Sequence, residues 1–395
     1  MRFFISLCGE GLGHTSRMIG LHHALKERGH EAVFAGYGDS LEVMKKEGMN
    51  TFETFPEIRM TGKGGRFDIV SSIIKSYDTP LDLMRSYGRE RWKIGQMGAD
   101  AVISDSRLST VIAGSIAGLP TFYVTNQSEF QFSRLPVMGS RRLRALRILA
   151  RARVPAEAVR RLVDMPLSMP YGFSDEVLIP DFSPPNTICL PLLSKGMEMR
   201  KKTFFTGPMN QLCFRKARPA KWESGKPKVL VTFGGQRFRG GLLGEVVKAA
   251  KRMPEFEFMV ASFFVKKDAD IGNLKLRRFL PEVLPYAAAA DFLVIPAGHS
   301  SVMESILLEK PAVVVPDRGQ PEQESNARQY EKLGLGRMLT VDEIGSLGGA
   351  LRRLRENERK HNGKLGKLAE LARDSENGAR NAVRLVEGFV ERIRY

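Results

Sequence analysis

Residues 291–327 read DFLVIPAGHSSVMESILLEKPAVVVPDRGQPEQESNA, and the rest of the chain can be interpreted from this segment. It begins with a short apolar run that stops at Ala297 and Gly298, after which apolar residues recur at helical spacing from Ser301. A second apolar run follows from Pro311. The pattern predicts a strand, a tight turn, a helix and another strand, the repeating unit of a parallel α/β sheet.

The glycine turn of this unit predicts a phosphate site. A helix that begins at a turn leaves its first backbone N–H groups unpaired and carries partial positive charge there. Four consecutive residues would form the cradle: Gly298, His299, Ser300 and Ser301. Glu304 follows within the first helical turn and could accept hydrogen bonds from sugar hydroxyls beside the phosphates. One turn of helix would then hold a nucleotide.

An adjacent polar pair follows the second strand. Glu322 and Gln323 lie on a loop that leads into a helix, and together they offer hydrogen-bond donors and acceptors. Such a pair suits a polyhydroxylated ligand.

These motifs resemble the donor-binding half of GT-B glycosyltransferases. The similar group (family 28-like) contains the MurG-type N-acetylglucosaminyltransferases and plant galactolipid synthases, and more distantly the UDP-glucuronosyltransferases. In that family a Gly-x-Ser/Thr-x-x-x-Glu turn, matched here from Gly298 to Glu304, holds diphosphate and ribose. A Glu-Gln pair, matched by Glu322 and Gln323, holds the donor sugar. The resemblance implies an α/β GT-B fold, in which two Rossmann-like doubly wound domains face each other across a cleft.

The same resemblance implies two further donor-side segments. Gly234, Gly235 and Gln236 match the family's Gly-Gly-Ser-Gln turn, with the glutamine one place early, and backbone N–H groups there can approach the diphosphate. Phe279 and Leu280 correspond to the strand end that receives the nucleotide base.

The N-terminal half opens with an apolar strand from Arg2 to Leu7, a glycine-containing turn and a helix that ends at Gly29. Gly11 and Gly13 lie in the turn, which we place on the acceptor side of the cleft. The glycines lack the full dinucleotide spacing and no acidic residue ends the next strand, so the sequence does not favour an NAD site.

His14 directly follows this turn and matches the Gly-His of MurG-type and glucuronosyltransferase-type enzymes, in which the histidine is the candidate general base. It could also simply cap the helix. Asp105 ends another apolar run and could hold His14 in one tautomer, or cap the helix that starts near Ser109. Asn126 and Gln127 end the next strand and could line the acceptor side or serve as ordinary loop residues.

The chain is long enough for two domains, and 43% hydrophobic residues can supply two cores. We predict an N-terminal acceptor domain over residues 1–210, a linker over 211–227 and a C-terminal nucleotide-sugar domain over 228–378. The resemblance implies that the last helix, 379–395, packs back on the N-terminal domain.

The net charge of +17 predicts an anionic partner. Positive charge is densest from Arg134 to Arg161, where nine arginines accompany the single acid Glu157 and apolar residues interleave. This segment is either a solvated basic surface or a site that docks on anionic lipid head groups. Nucleic acid is not favoured, because no helix-turn-helix, zinc spacing or ribonucleoprotein motif is present.

Several features of the sequence indicate in which cellular compartment the protein works. The cysteines, Cys8, Cys189 and Cys213, lack metal or redox spacing, which fits a reducing cytoplasm. The first apolar run is too short for a signal peptide, and no stretch approaches the ~20 apolar residues of a membrane span. We therefore expect a cytoplasmic protein, soluble or peripheral on the inner face of the cell membrane.

The reaction type follows from two missing motifs. The lone Asp-x-Asp tripeptide, Asp268 to Asp270, lies in a charged loop and fits a solvated turn, so we predict neither metal nor cofactor. No glutamate pair after Lys221 has the Glu-x7-Glu spacing of retaining GT-B enzymes. Together with the resemblance and the arginine-rich segment, these absences predict an inverting transferase that moves a hexose or N-acetylhexosamine from a UDP-sugar to a hydroxyl, either of a lipid-borne acceptor or of a soluble one. A sugar-nucleotide epimerase and a non-catalytic sugar-nucleotide-binding subunit of a membrane complex stay open as alternatives.

Overall fold

The structure is a computed structural model that describes residues 1–9, 13–57, 62–63, 66–67, 79–126, 169–189, 202–233, 240–280 and 282–394. These residues form two α/β lobes, each built on a seven-stranded sheet. The prediction of two α/β domains with parallel sheets is confirmed.

The N-terminal lobe contains strands β1 (Arg2–Leu7), β2 (Glu31–Gly36), β3 (Thr51–Glu53), β6 (Ala101–Asp105), β7 (Thr121–Val124), β8 (Glu176–Ile179) and β9 (Thr203–Phe205). Their order is β3-β2-β1-β6-β7-β8-β9, all parallel, and a separate antiparallel ribbon pairs β4 (Gly62–Lys63) with β5 (Arg66–Phe67). Its helices are α1 (Gly13–Glu27), α2 (Gly38–Lys46), α3 (Thr79–Met97) and α4 (Leu108–Ile116).

The C-terminal lobe contains β10 (Lys228–Thr232), β11 (Glu257–Ala261), β12 (Ala269–Ile271), β13 (Leu274–Arg277), β14 (Phe292–Pro296), β15 (Ala312–Val315) and β16 (Arg337–Met338). Their order is β12-β13-β11-β10-β14-β15-β16, parallel except that β12 runs antiparallel to β13. The helices from residue 240 onward are α5 (Gly240–Lys251), α6 (Leu284–Ala289), α7 (His299–Leu307), α8 (Pro321–Lys332), α9 (Leu347–Glu356), α10 (Glu358–Arg373) and α11 (Gly378–Arg394).

Both sheets are buried on both faces, which explains why their central strands are continuous apolar runs rather than alternating ones. In β1, Phe3 and Ile5 enter the core on one face while Phe4 enters the core on the other. In β10, Leu230 likewise packs into the core on one face and Val229 into the core on the other. Helices therefore cover both faces of each sheet, and the carboxyl strand ends stay open for ligands.

The last helix leaves the C-terminal lobe and packs on the N-terminal one. Ala382, Val383 and Val386 of α11 lie in the core that also contains Phe3 and Ile5. The crossing requires glycine at Gly207, which has φ +93°, because a Cβ there would collide with the carbonyl oxygen of Glu376. This helix joins the two lobes a second time, and its start contacts residues 206–213 at the beginning of the linker.

Among the described residues, no helix combines the length and hydropathy needed to cross a membrane.

Candidate functional site

The carboxyl ends of β1 and β6 bring His14 and Asp105 together. The two strands are paired so that Leu7 lies opposite Asp105, and α1 begins at Gly13 shortly after β1 ends. His14 Nδ1 lies 3.0 Å from Asp105 Oδ1. The carboxylate is fully buried, whereas the imidazole keeps 19% of its side chain exposed. The ring is therefore held from inside the lobe and faces the cleft.

The charge state of Asp105 fixes what this pair can do. Burial alone would raise the pKa of Asp105, but the charges of Arg17 and His14 outweigh it and hold that pKa below its usual value. An ionised Asp105 accepts a hydrogen bond from Nδ1–H of His14, and this bond selects the tautomer whose Nε2 has a free lone pair. His14 can therefore act as a general base through Nε2.

Arg17 is part of the same cluster, and sequence reasoning missed it. Its Nη1 lies 2.9 Å from the same oxygen of Asp105 that contacts His14. Arg17 follows His14 by three residues, so both side chains project from one face of α1. That spacing is the signal that could have found it.

The turn after Asp105 is held by a second buried network. Ser106 has φ +62°, a left-handed conformation that costs energy for a residue other than glycine. Arg107, 1% exposed, contacts Glu57 at 2.8 Å and Glu90 at 3.0 Å. Burial raises the pKa of Glu90, although the charge of Arg107 opposes the shift. This network fixes the turn and hence the position of the Asp105 side chain. Because Glu57 and Glu90 lie far from Arg107 in the sequence, no local motif predicts the network.

Across the cleft, α7 begins where the sequence predicts the phosphate cradle. Gly298 is its N-cap residue, and no side chain caps the helix end. The N–H groups of Ser300 and Ser301 belong to this first turn, where a helix favours anions. The geometry supplies an anion site made of backbone.

His299, predicted as part of the cradle, is the first residue of α7, and its side chain contacts the other lobe. It is 4% exposed, and its Nε2 is 3.2 Å from Asp181 Oδ2 in the N-terminal lobe. The charge of His299 lowers the pKa of Asp181 against the opposing effect of burial. In this conformation the side chain of His299 connects the two lobes.

Asp181, Cys189 and His299 place three ligand atoms within 4.8 Å of one another, close enough to hold a metal ion. Asp181 Oδ2 already accepts hydrogen bonds from Thr187 Oγ1 and from the backbone N–H groups of Ile188 and Cys189. Burial raises the pKa of the Cys189 thiol, which keeps it protonated. The donor set suits a structural contact better than a metal ion.

Glu304, the predicted ribose ligand, also reaches the other lobe. Its Oε1 accepts a hydrogen bond from Ser16 Oγ at 3.3 Å, and Ser16 Oγ accepts one from Asn210 Nδ2 at 3.1 Å. Burial raises the pKa of Glu304 to about 7, and hydrogen bonds from Ser16 and Asn210 oppose the rise. Glu304 can therefore change its charge near neutral pH.

The two lobes approach closely next to His14. A Cβ built on Gly13 would lie 2.6 Å from Ser300 Oγ, so glycine at this position allows α1 and α7 to meet end to end. His14, which follows Gly13, and Glu304, which contacts Ser16, therefore both lie where α1 and α7 meet.

The remaining donor-side residues differ in exposure. Glu322 Oε1 accepts a hydrogen bond at 2.6 Å from Asn126 Nδ2 of the N-terminal lobe. Gln323 is buried and exchanges hydrogen bonds with Asp317, which shapes the loop before α8. Phe279 is 62% exposed.

Leu280, next to Phe279, is buried. Several predicted residues lie outside the described part of the chain: Gly11, Gln127, Gly234, Gly235, Gln236 and the arginine-rich segment 134–161.

Comparisons with known proteins complete the description. Residues 246–381 match the model of the glycosyltransferase family 28 C-terminal domain. A Methanosarcina acetivorans protein described as an uncharacterized glycosyltransferase is 29% identical over 346 residues, or 86% of each chain. The Thermosipho africanus UDP-N-acetylglucosamine–N-acetylmuramyl-(pentapeptide) pyrophosphoryl-undecaprenol N-acetylglucosamine transferase is 25% identical over 148 residues, covering 36% of this chain and 43% of that enzyme. The solved kitacinnamycin glycosyltransferase superposes with a TM-score of 0.69 at 18% identity, covering 98% of both chains.

The matched family domain contains the turn at residues 298–304 and the pair at 322–323, and the full-length structural match extends the likeness to both lobes. The predicted GT-B fold and the predicted family 28-like group are confirmed. Residues 246–381 thus resemble the family 28 C-terminal domain, and both lobes share the GT-B fold of the solved glycosyltransferase.

Proposed function

We propose that this glycosyltransferase moves a hexose or N-acetylhexosamine from a UDP-sugar to a hydroxyl of a lipid-linked acceptor, with inversion at the anomeric carbon and without an essential metal ion. One observation carries the proposal. His14, hydrogen-bonded to Asp105, follows Gly13, which approaches Ser300 at the uncapped N-terminus of α7.

In the proposed reaction, His14 of the N-terminal lobe acts on the acceptor, and the start of α7 in the C-terminal lobe binds the diphosphate of the donor. Nε2 of His14 removes the proton of the acceptor hydroxyl, and that oxygen forms a bond to the anomeric carbon. The bond from this carbon to the diphosphate breaks on the opposite face, and the electron pair leaves with the nucleoside diphosphate. Displacement from the opposite face inverts the anomeric configuration.

The leaving group needs stabilisation as its negative charge grows. Backbone N–H groups at the start of α7 point toward the cleft and carry the positive end of the helix dipole. Fixed dipoles of this kind stabilise developing charge without reorganisation. They support a metal-independent reaction.

The nature of the donor is proposed from the C-terminal lobe. The relative that transfers N-acetylglucosamine from its UDP derivative matches over 148 residues, and the family model covers residues 246–381. Glu304 and Glu322 are the carboxylates placed to accept hydrogen bonds from ribose and sugar hydroxyls. A uridine diphosphate sugar fits these features.

A lipid-linked acceptor is supported by an unusual helix, α3. Its inner face buries Asp82, Ser86 and Glu90, whereas Leu81, Met84 and Trp92 are 58%, 69% and 60% exposed on the outer face.

Arg85 and Arg89 lie on the same outer face of α3 and stack on Phe55. Apolar side chains among arginines favour an anionic membrane surface. The arginine-rich segment 134–161 adds positive charge to the same half of the sequence.

The proposal is tested by incubating the protein with a panel of nucleotide sugars and lipid extracts, with and without EDTA. UDP release that depends on lipid, with a glycosylated lipid of inverted configuration, is the expected result. An isomerised donor without lipid would instead indicate an epimerase. Loss of activity in EDTA that Mg²⁺ restores would contradict the metal-independent mechanism.

Membrane attachment has its own test. A variant with Leu81, Met84 and Trp92 replaced by Ser should float less with vesicles that contain anionic phospholipid. Neutralising Arg141, Arg142, Arg144 and Arg147 tests the segment 134–161 in the same assay. Unchanged flotation of both variants would remove the support for a membrane acceptor.

A further inference from the structure

Arg17 occupies a position that is electrostatically unfavourable by itself. Its side chain is 5% exposed, so its charge has lost most of its contact with water. It also lies in the first turns of α1, where the helix dipole is positive and repels a cation. An arginine stays protonated in such a place, so a compensating anion must lie beside it.

Asp105 is that anion, and it is shared. Arg17 Nη1 lies 2.9 Å and His14 Nδ1 lies 3.0 Å from the single oxygen Oδ1. Oδ2 of Asp105 is buried and has no hydrogen-bond partner among the described residues. One carboxylate oxygen therefore interacts with a permanent cation and with a base that becomes a cation during the reaction.

Other titratable groups near Asp105 do not change this balance. Tyr123 lies beside it on β7, and burial together with the charge of Asp105 raises the pKa of Tyr123, which keeps it neutral. Cys8 donates its backbone N–H to the Asp105 carbonyl. Glu57 is paired with Arg107. Glu304 of α7 contacts Ser16 rather than this cluster, and burial raises its pKa to about 7. The charges in direct contact with Asp105 are thus those of Arg17 and His14.

We propose that Arg17 is a positioning residue that makes the resting His14–Asp105 pair electrically neutral, so that proton transfer to His14 leaves a net positive charge facing the departing diphosphate. This inference rests on the proposed function. With Asp105 and His14 alone, the pair would be anionic before proton transfer and neutral after it. With Arg17, the cluster is neutral before and positive after, which favours the state in which the leaving group is most negative.

The effect of Arg17 on proton uptake by His14 can be measured without a substrate. Without Arg17, Asp105 would act on His14 alone and would stabilise the imidazolium more strongly. His14 would then take up a proton at higher pH and would be a less available base at neutral pH. Lysine at position 17 would preserve the charge but not the planar fork of arginine.

The experiment is a pH titration of the histidine ring signals of the full chain, labelled with ¹³C in its histidines. The His14 signal is assigned by its absence in His14→Gln. In Arg17→Met we expect the titration midpoint of His14 to rise by about one pH unit, which corresponds to roughly 1.4 kcal/mol of charge interaction. In Arg17→Lys it should rise by less than half as much. An unchanged midpoint in a folded Arg17→Met protein would overturn the proposal.

A second pair of variants keeps the test decisive if Arg17→Met does not fold. Asp105→Asn removes the carboxylate and leaves Arg17 beside His14, so the midpoint should fall below that of the wild type. Adding Arg17→Met to Asp105→Asn should raise it again. Equal midpoints in Asp105→Asn and the double variant would contradict the proposal.

Turnover gives a separate readout once the panel of donors and lipids has identified substrates. Arg17→Met should lower kcat by about 10²-fold with donor KM within about threefold, and Arg17→Lys should recover most of the loss. Equal losses in both variants would argue against a charge effect. Because the ring titration uses no substrate, failure to detect transfer would refute the proposed function without affecting the titration result.

Discussion

The two edges of the cleft use different parts of the polypeptide. On the N-terminal edge, three titratable side chains, His14, Asp105 and Arg17, are in contact and two of them are buried. On the C-terminal edge, the start of α7 offers backbone N–H groups without a side-chain cap. Titratable side chains on that edge, such as His299 and Glu304, instead reach partners in the N-terminal lobe.

This difference reflects the two tasks of the reaction. Removing a proton requires a titratable group, which only a side chain provides, and its charge must be controlled by neighbours. Stabilising a phosphate anion can be done by peptide dipoles, which every residue type carries. Substitutions on the N-terminal edge should therefore lower the rate, while those on the C-terminal edge should affect stability and donor affinity.

The largest effect is expected when the proposed base of the N-terminal edge is removed. His14→Ala removes the base, so kcat should fall by about 10³-fold. The Kd for UDP, measured by calorimetry, should stay within about twofold, because the nucleotide is held by the other edge. His361→Ala is a matched control on a histidine of α10. A kcat within tenfold of the wild type would show that the rate does not depend on this edge.

The next effect is on the contact between the lobes. His299→Ala removes the imidazole that lies 3.2 Å from buried Asp181, which should lower the free energy of unfolding by about 1–3 kcal/mol in urea titrations. Asp181 has a pKa below its usual value in the fold, so its contribution is present above pH ~4 and is lost as the pH falls through the folded value. The difference between the two proteins should therefore shrink in acid.

Arg318→Ala provides the control for that measurement. Arg318 pairs with Asp342 at 3.0 Å, but both side chains are more than half exposed, so the loss should stay below about 0.5 kcal/mol. Similar losses for His299→Ala and Arg318→Ala would mean that His299 does not join the lobes.

The sequence predicted the architecture well because the strands are buried on both faces. Continuous apolar runs such as 292–296 and 312–315, each followed by a helical pattern, mark a parallel sheet with helices on both sides. Gly298 and His14 were found because each stands where a strand ends and a helix begins. Ligands bind at such ends in open α/β sheets.

Contacts between distant segments could not be predicted in this way. Arg17 and Asp105 are separated by 88 residues, and the partner of His299 is in the other lobe. The residue type at a donor-side position also does not reveal its contacts. The sequence alone cannot tell whether the side chain of His299 faces a phosphate or Asp181 of the other lobe. Only packing decides which side chain faces the ligand and which faces the neighbouring lobe.

A smaller effect tests the pH dependence of the C-terminal edge. Burial raises the pKa of Glu304 to about 7, so its carboxylate ionises between pH 6 and pH 8. An ionised carboxylate accepts the ribose hydroxyls better, and affinity for UDP-N-acetylglucosamine should rise by up to about tenfold over this range. Glu304→Gln should bind more weakly at pH 8 and lose the pH dependence. A variant that keeps the same slope would assign the titration to another group.

The smallest expected effect comes from a hydrogen bond that connects the N-terminal edge to the C-terminal edge. Asn126 donates a hydrogen bond at 2.6 Å to Glu322, the carboxylate proposed to hold the donor sugar. Asn126→Ala removes one hydrogen bond of about 1 kcal/mol, so Kd for UDP-N-acetylglucosamine should rise by about fivefold.

The Kd for UDP, which has no sugar to be held by Glu322, should change by less than about twofold in Asn126→Ala. Glu322→Gln, measured beside it, should affect the same ligand and spare UDP. Equal weakening of both ligands would show that Asn126 acts on the approach of the lobes as a whole. A loss confined to the sugar nucleotide would show that a residue of the N-terminal edge orients a donor ligand of the C-terminal one.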